Sequence, residues 1–135
     1  MNLKELYENY QEKRKTVMEK DDFTNLLMMY PAALVANCDN NFDKLEKQNL
    51  YESVKEASGD NTLLACEMYS ELTYLLSDNS MHNEISSCIK SEAANNQNVK
   101  TIINDLMNSV AESSEGISMQ EKNKIDELKN ELGTI

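Results

Sequence analysis

Between Val35 and Leu50 the chain reads VANCDNNFDKLEKQNL, and 75 positions later, from Val110 to Ile125, it reads VAESSEGISMQEKNKI with no gap needed. Val35, Ala36, Glu46 and Lys47 return as Val110, Ala111, Glu121 and Lys122, while Phe42, Asp43 and Leu50 return as Ile117, Ser118 and Ile125. Upstream, Leu27 and Met28 fall opposite Ile102 and Ile103. Each stretch runs from an apolar-periodic segment through a polar turn to a fresh helix start. The chain is therefore expected to contain two related helix-turn-helix units, one over residues 23–57 and one over residues 99–132.

The helix starts are written D/S-x-x-E, with Asp43 paired to Glu46 and Ser118 to Glu121. In a capping box the first side chain accepts from an amide of the first helical turn, and the glutamate reaches back to the amide of the cap. Both glutamates also sit where the helix dipole favours negative charge. A hydrophobic staple is not available, because Lys47 and Lys122 occupy the positions that Phe42 and Ile117 would meet. Phe42 and Ile117 are expected to enter a shared core instead.

Composition supports helices throughout. With three Gly, one Pro and no Trp in 135 residues, tight turns in series and β-branched strand runs are both missing. Such a length suits one domain with its own core, and the expected fold is an all-α compact bundle of about seven helices. The formal charge of −11 repels phosphate backbones, so nucleic acid is not an expected partner. The basic run Lys13, Arg14, Lys15 is flanked by Glu12 and Glu19 and reads as a solvated helix face. Cys38, Cys66 and Cys88 are widely spaced and lie in or beside apolar segments, as buried reduced thiols do. No run reaches the length of a membrane span and the N-terminus lacks a signal-like apolar core, so a cytoplasmic protein is expected, with no direct membrane insertion.

In chain order, a first amphipathic helix is expected from about Asn2 to Lys20, with Leu3, Leu6, Tyr7, Tyr10, Val17 and Met18 on one stripe. Asp21 and Asp22 offer a cap for the next helix, which Pro31 either kinks or breaks. A third helix from Asp43 stops at Gly59. The helix carrying Leu63, Leu64, Cys66, Tyr69, Leu72, Leu75 and Leu76 is the most hydrophobic and the expected central element. After a turn at Ser77 to Ser80 comes a helix with Met81, Ile85, Cys88 and Ile89. A sixth carries Val99, Ile102, Ile103, Leu106 and Val110, and a last one runs from Ser118 to Gly133.

Catalytic patterns are missing: there is no glycine-rich phosphate loop, no HExxH and no GxSxG, and His82 is the single histidine. An enzyme is not expected. The first turn is the best candidate site, because Asp39, Asn41 and Asp43 place oxygen donors at alternate positions, as a calcium loop does. A full EF-hand fails, since Lys44 stands where that loop needs Gly and Leu50 where it needs Glu. Asp39, Asn41, Asp43 and Glu46 remain as hard ligands for calcium or magnesium. The competing reading is plain helix capping by Asp43 and Glu46, with Asp39 as a turn former.

The pattern D-x-x-F-D-x-x-E after an apolar helix ending in ALVA resembles the D-G-x-I-S-x-x-E signature of the TerB-like tellurite-resistance family. The resemblance covers about Phe23 to Leu132. Asp39, Phe42, Asp43 and Glu46 match in the first unit, with Asn40 in place of the usual Gly. In the second, Ile117, Ser118 and Glu121 match, while Ser114 replaces the Asp and Glu115 the Gly. The resemblance implies two helix-turn-helix units in a seven-helix domain. It also implies a non-enzymatic acidic accessory protein of stress or tellurite resistance, working through protein partners. A divalent cation would be held by Asp39, Asp43 and Glu46, with Glu121 and Glu115 in the second unit. The alternative is a metal-free adaptor or immunity-type module whose acidic surface recognises a basic protein.

Overall fold

The computed structural model describes residues 2–37, 44–112 and 119–132. Among them are seven α-helices and no strand: α1 (Leu3–Arg14), α2 (Lys20–Asn37), α3 (Lys44–Ala57), α4 (Thr62–Ser77), α5 (His82–Asn95), α6 (Gln97–Glu112) and α7 (Met119–Leu132), with a short 3-10 turn at Asn79–Met81 before α5. The expected all-α bundle is the observed architecture.

The central element is α2 rather than α4. Phe23, Leu26, Leu27, Met29, Tyr30, Pro31, Ala32, Ala33, Val35 and Ala36 are all buried, so from Met29 to Ala36 α2 is apolar around nearly its whole circumference, as a helix packed on most sides must be; Thr24, Asn25 and Met28 stay part-exposed. Every other helix packs against it, α6 most extensively. In α4, Ala65, Met68, Leu72 and Leu75 are buried, but Leu63 is 85% exposed and Cys66 is exposed. Its hydrophobicity exceeds its burial because one face has no neighbour. The cysteine expectation is corrected in the same way: Cys88 is buried, Cys66 is not.

Pro31 does not break α2. The helix continues to Asn37 with Pro31 inside it and buried. Proline removes one backbone donor and crowds the preceding turn, and the packing around α2 tolerates both. Asp21 and Asp22 lie within the first turn of α2 rather than before it. The Asp22 carboxylate accepts from the Glu19 amide at 2.9 Å, the backward half of a capping box.

The two units meet through their first helices, α2 on α6, and each second helix also touches the other unit's first helix, α3 on α6 and α7 on α2. That reciprocity is what a pseudo-two-fold relation produces. Burial follows the repeat register at Ala32 and Met107, Val35 and Val110, Ala36 and Ala111, and Leu50 and Ile125, all in the core. It fails at Leu27 and Ile102, where the first is buried and the second is 42% exposed. Helices α3 and α7 begin at Lys44 and Met119, one residue after Asp43 and Ser118. Phe42, Ile117 and the helix stop at Gly133 lie outside the described residues.

Helix α1 is shorter than its stripe suggests. It ends at Arg14 because Lys15 takes the left-handed conformation (φ 53°), its amide returning to the Gln11 carbonyl at 2.7 Å. The β-branched Thr16 and Val17 that follow are weak helix formers. Met18 is buried from the linker, while Val17 is 75% exposed. The linker is tied by its backbone: Tyr7 Oη donates to the Met18 carbonyl (2.6 Å), Gln11 Nε2 to the Thr16 carbonyl (2.9 Å), and the Val17 amide to Glu67 Oε1 (2.7 Å).

Glu71 in α4 fixes the same end of α1. Arg14 grips its carboxylate with both arms, Nε to Oε1 at 2.7 Å and Nη2 to Oε2 at 3.0 Å, and Tyr10 Oη donates to Oε1 at 2.7 Å. Behind it, the Arg14 guanidinium lies 3.8 Å from the centre of the Tyr74 ring. The basic run is thus not simply a solvated face, since Arg14 is committed to a buried acid. Burial opposes ionisation of Glu71, but the hydrogen bonds from Arg14 and Tyr10 and the Arg14 charge outweigh it and hold the carboxyl below its ordinary range. A depressed folded-state value stabilises the fold above the unfolded glutamate value of about 4.3 and is lost as pH falls through the depressed one. Glu71→Gln is expected to lower stability by about 2 kcal/mol at pH 7. The deficit should shrink as pH falls below 4, measured by urea unfolding across pH; a deficit unchanged with pH would contradict the assignment.

Candidate functional site

A cleft of about 310 Å³ opens where α2, α5, α6 and the start of α1 converge. Its apolar wall is Leu3, Leu27, Met28, Ile89, Val99 and Ile102, with Cys88 at the base, and its polar rim is Thr24, Glu92, Asn96 and Asn98. A second, shallower hollow continues across Met28 and Ile102 toward α3, where Asn25, Met29, Ser53, Glu56, Ala57 and Leu106 line it. The two hollows share Met28 and Ile102, so they form one groove with a saddle in its floor.

Local sequence explains why this groove stays open. Along α6 the apolar stripe is wider than one face can bury: Ile103, Met107, Val110 and Ala111 turn into the core, while Val99, Ile102 and Leu106 lie beside it. Met28 on α2 is half-buried opposite them. Glu92 borders one hollow and Glu56 the other, both exposed, and among the described residues no cationic side chain lines either. An apolar floor with a few polar groups at its edge is the usual composition of a binding surface.

His82 forms the second polar centre. Tyr30 Oη is 2.9 Å from its Nδ1, Glu131 Oε1 is 3.0 Å from its Nε2, and Ser86 Oγ is 3.4 Å from the same Nε2. A nucleophile–base–acid relay needs the nucleophile and the carboxylate on opposite ring nitrogens. Here Ser86 and Glu131 share one, and the other is taken by a tyrosine that is 2% exposed. Burial, and the nearby Glu131 charge, push the Tyr30 phenol up to about 12, so it is a neutral donor or acceptor at physiological pH. The arrangement joins α2, α5 and α7 as a latch.

Of the residues expected at a cation site, Asp39, Asn41, Asp43 and Glu115 lie outside the described residues, and of Glu46 only its place in the first turn of α3 is described. Glu121 is in the first turn of α7 and only 4% exposed, on the core side of its helix. Among the described residues no three His, Cys, Asp or Glu side chains come together in a way that could hold a metal.

Sequence reading missed both the groove and the latch. Ile102 belongs to the same apolar period as Ile103, and nothing local separates the exposed one from the buried one. The latch partners are 52 and 49 residues from His82, a juxtaposition that only the packing of three helices creates.

The base of the cleft yields a direct chemical expectation. Burial raises the Cys88 thiol, and the Glu92 charge pushes in the same direction, so little thiolate forms there. Iodoacetamide at pH 7.5 is expected to alkylate the exposed Cys66 at least about tenfold faster than Cys88, followed by peptide mass mapping over time. Equal rates would mean that the floor of the cleft opens readily.

Compared with protein-family models, curated proteins and solved structures, the chain gave no match to any of them.

Proposed function

We propose that this chain is a non-enzymatic accessory protein that works by holding a protein partner in the groove over α2 and α6. It would belong to the stress or tellurite-resistance class that its TerB-like signature implies, acting in the cytoplasm. The observation that carries the reading is the groove itself: Ile102, 42% exposed, with half-buried Met28, Val99 and Leu106 around it, set between Glu56 and Glu92. Apolar side chains left part-exposed side by side, with carboxylates beside them, are what a partner-binding face presents.

Ile102→Asp tests it. In cross-linked extract of cells that make the protein, the parent is expected to co-purify a partner at a fixed ratio, and Ile102→Asp to lose it. Leu63→Asp, which changes an even more exposed apolar residue on α4, should retain it. A partner kept by Ile102→Asp would overturn the reading.

Cation binding at the turns is the second reading. It rests on the oxygen donors that the sequence places just ahead of the helix starts at Lys44 and Met119. Asp39, Asn41, Asp43 and Glu46 would be the ligands in the first turn, with Glu115 and Glu121 in the second. Calcium or magnesium at millimolar concentration should then raise the unfolding midpoint of the parent and not that of Asp39→Asn. Asp39→Asn removes a ligand charge while leaving the Asp43 cap in place. No shift for the parent, or equal shifts in both proteins, would leave these residues as helix caps alone.

A further inference from the structure

We infer that the occupant of the groove is a basic amphipathic helix of a partner protein, with one apolar anchor for each hollow and a Lys or Arg toward each end. This rests on the partner-binding reading and adds the chemistry of the partner. Four observations lead to it.

Asn98, Val99, Ile102 and Leu106 line the groove from α6 at spacings of one, three and four residues. They present one face of that helix over the nine residues from Asn98 to Leu106, about 12 Å at the α-helical rise. Side chains at such spacings form ridges and grooves that accept the ridges of another helix. Addition of a strand would need an unpaired sheet edge, and there is no strand among the described residues.

The floor has two hollows divided by the saddle at Met28 and Ile102. One continuous side chain cannot fill both. Two apolar anchors on one face of an incoming helix would place one in each hollow, on either side of the saddle.

The ends of the groove are acidic. Glu92 borders the hollow beside α5 and Glu56 the hollow beside α3. Neither has an ion-pair partner among the described residues. A cation at each end of the incoming helix would meet a carboxylate without displacing an internal salt bridge.

The remaining candidates are disfavoured by charge. A second copy of this chain would bring another −11 and the same two carboxylates to the contact. An anionic membrane would meet the same repulsion. A basic protein segment gains on both terms, with the anchors supplying affinity and the rim charges supplying encounter rate and orientation.

The test uses the full chain against a displayed library of helices with randomised apolar and charged positions, counter-selected on Ile102→Asp and read out by fluorescence anisotropy of the winners. Enriched helices should carry a pair of large apolar residues on one face with Lys or Arg outside them. They should bind Ile102→Asp at least about tenfold more weakly. The sign of that change is diagnostic, because Ile102→Asp makes the chain more acidic: adhesion of basic peptides to the acidic surface at large would hold or tighten. Since Ile102 is 42% exposed, circular dichroism of the variant is expected to match the parent. Glu56→Gln with Glu92→Gln, which leaves the floor intact, should weaken the same peptides and flatten their salt dependence. If the winners need Ile102 but are neutral or acidic, the groove stands and the basic partner is overturned. If no helix distinguishes parent from Ile102→Asp, or if the parent self-associates through Ile102 in sedimentation, the helical partner is overturned as well.

Discussion

Enclosure of α2 is the constraint on which the rest of the structure depends. Ten of its side chains are buried, and from Met29 to Ala36 it has almost no polar face to offer water, so it is stable only when neighbours cover that stretch. Ala32, Ala33 and Ala36 are fully buried; with so little side chain, they let neighbouring backbones approach closely. The order of the other helices follows: α6 lies along α2, α3 and α7 bridge the two units, α4 and α5 fill the remaining sides, and α1 closes over Phe23 with Tyr7 and Tyr10 tilted against its ring.

Polar chemistry in this bundle serves placement. Glu71 is 6% exposed, and a carboxylate so enclosed is tolerable only because Arg14 and Tyr10 satisfy it. The same contacts determine where α1 ends, since the linker after Lys15 runs back across α4. His82 does the corresponding work between α2 and α7, through Tyr30 and Glu131. Each network ties helices that are distant in sequence, so each resists sliding of the bundle along its apolar contacts, which have no directional preference of their own.

The groove follows from the mismatch between the two repeated units. At Leu27 the first unit is buried by its neighbours, but at the equivalent Ile102 the second has no covering element. Helix α1 reaches only as far as Leu3 on that side. Apolar surface therefore remains between α5 and α3 with a carboxylate at each end. Unequal cover of positions that match in sequence is enough to leave this apolar surface open without any dedicated loop.

Much of the fold was legible in the residues themselves. Spacings of three and four, scarce Gly and Pro, and the two D/S-x-x-E helix starts determined an all-α bundle with helices beginning near Lys44 and Met119, because backbone hydrogen bonding and capping act over a few residues. Even the stop after Ala57 was readable in Gly59, which has φ +66°. Periodicity reports which side of a helix is apolar, not what lies opposite, so it could not show that α2 rather than α4 occupies the centre. Nor could it show that Pro31 is carried inside an unbroken helix, or that Ile102 and Leu63 face outward. Burial depends on neighbours contributed by distant segments, and charge networks such as Glu71 with Arg14 or His82 with Glu131 join residues about fifty positions apart. Those were decided only by tertiary packing, since no local rule relates a side chain to a partner that the folded chain alone brings within reach.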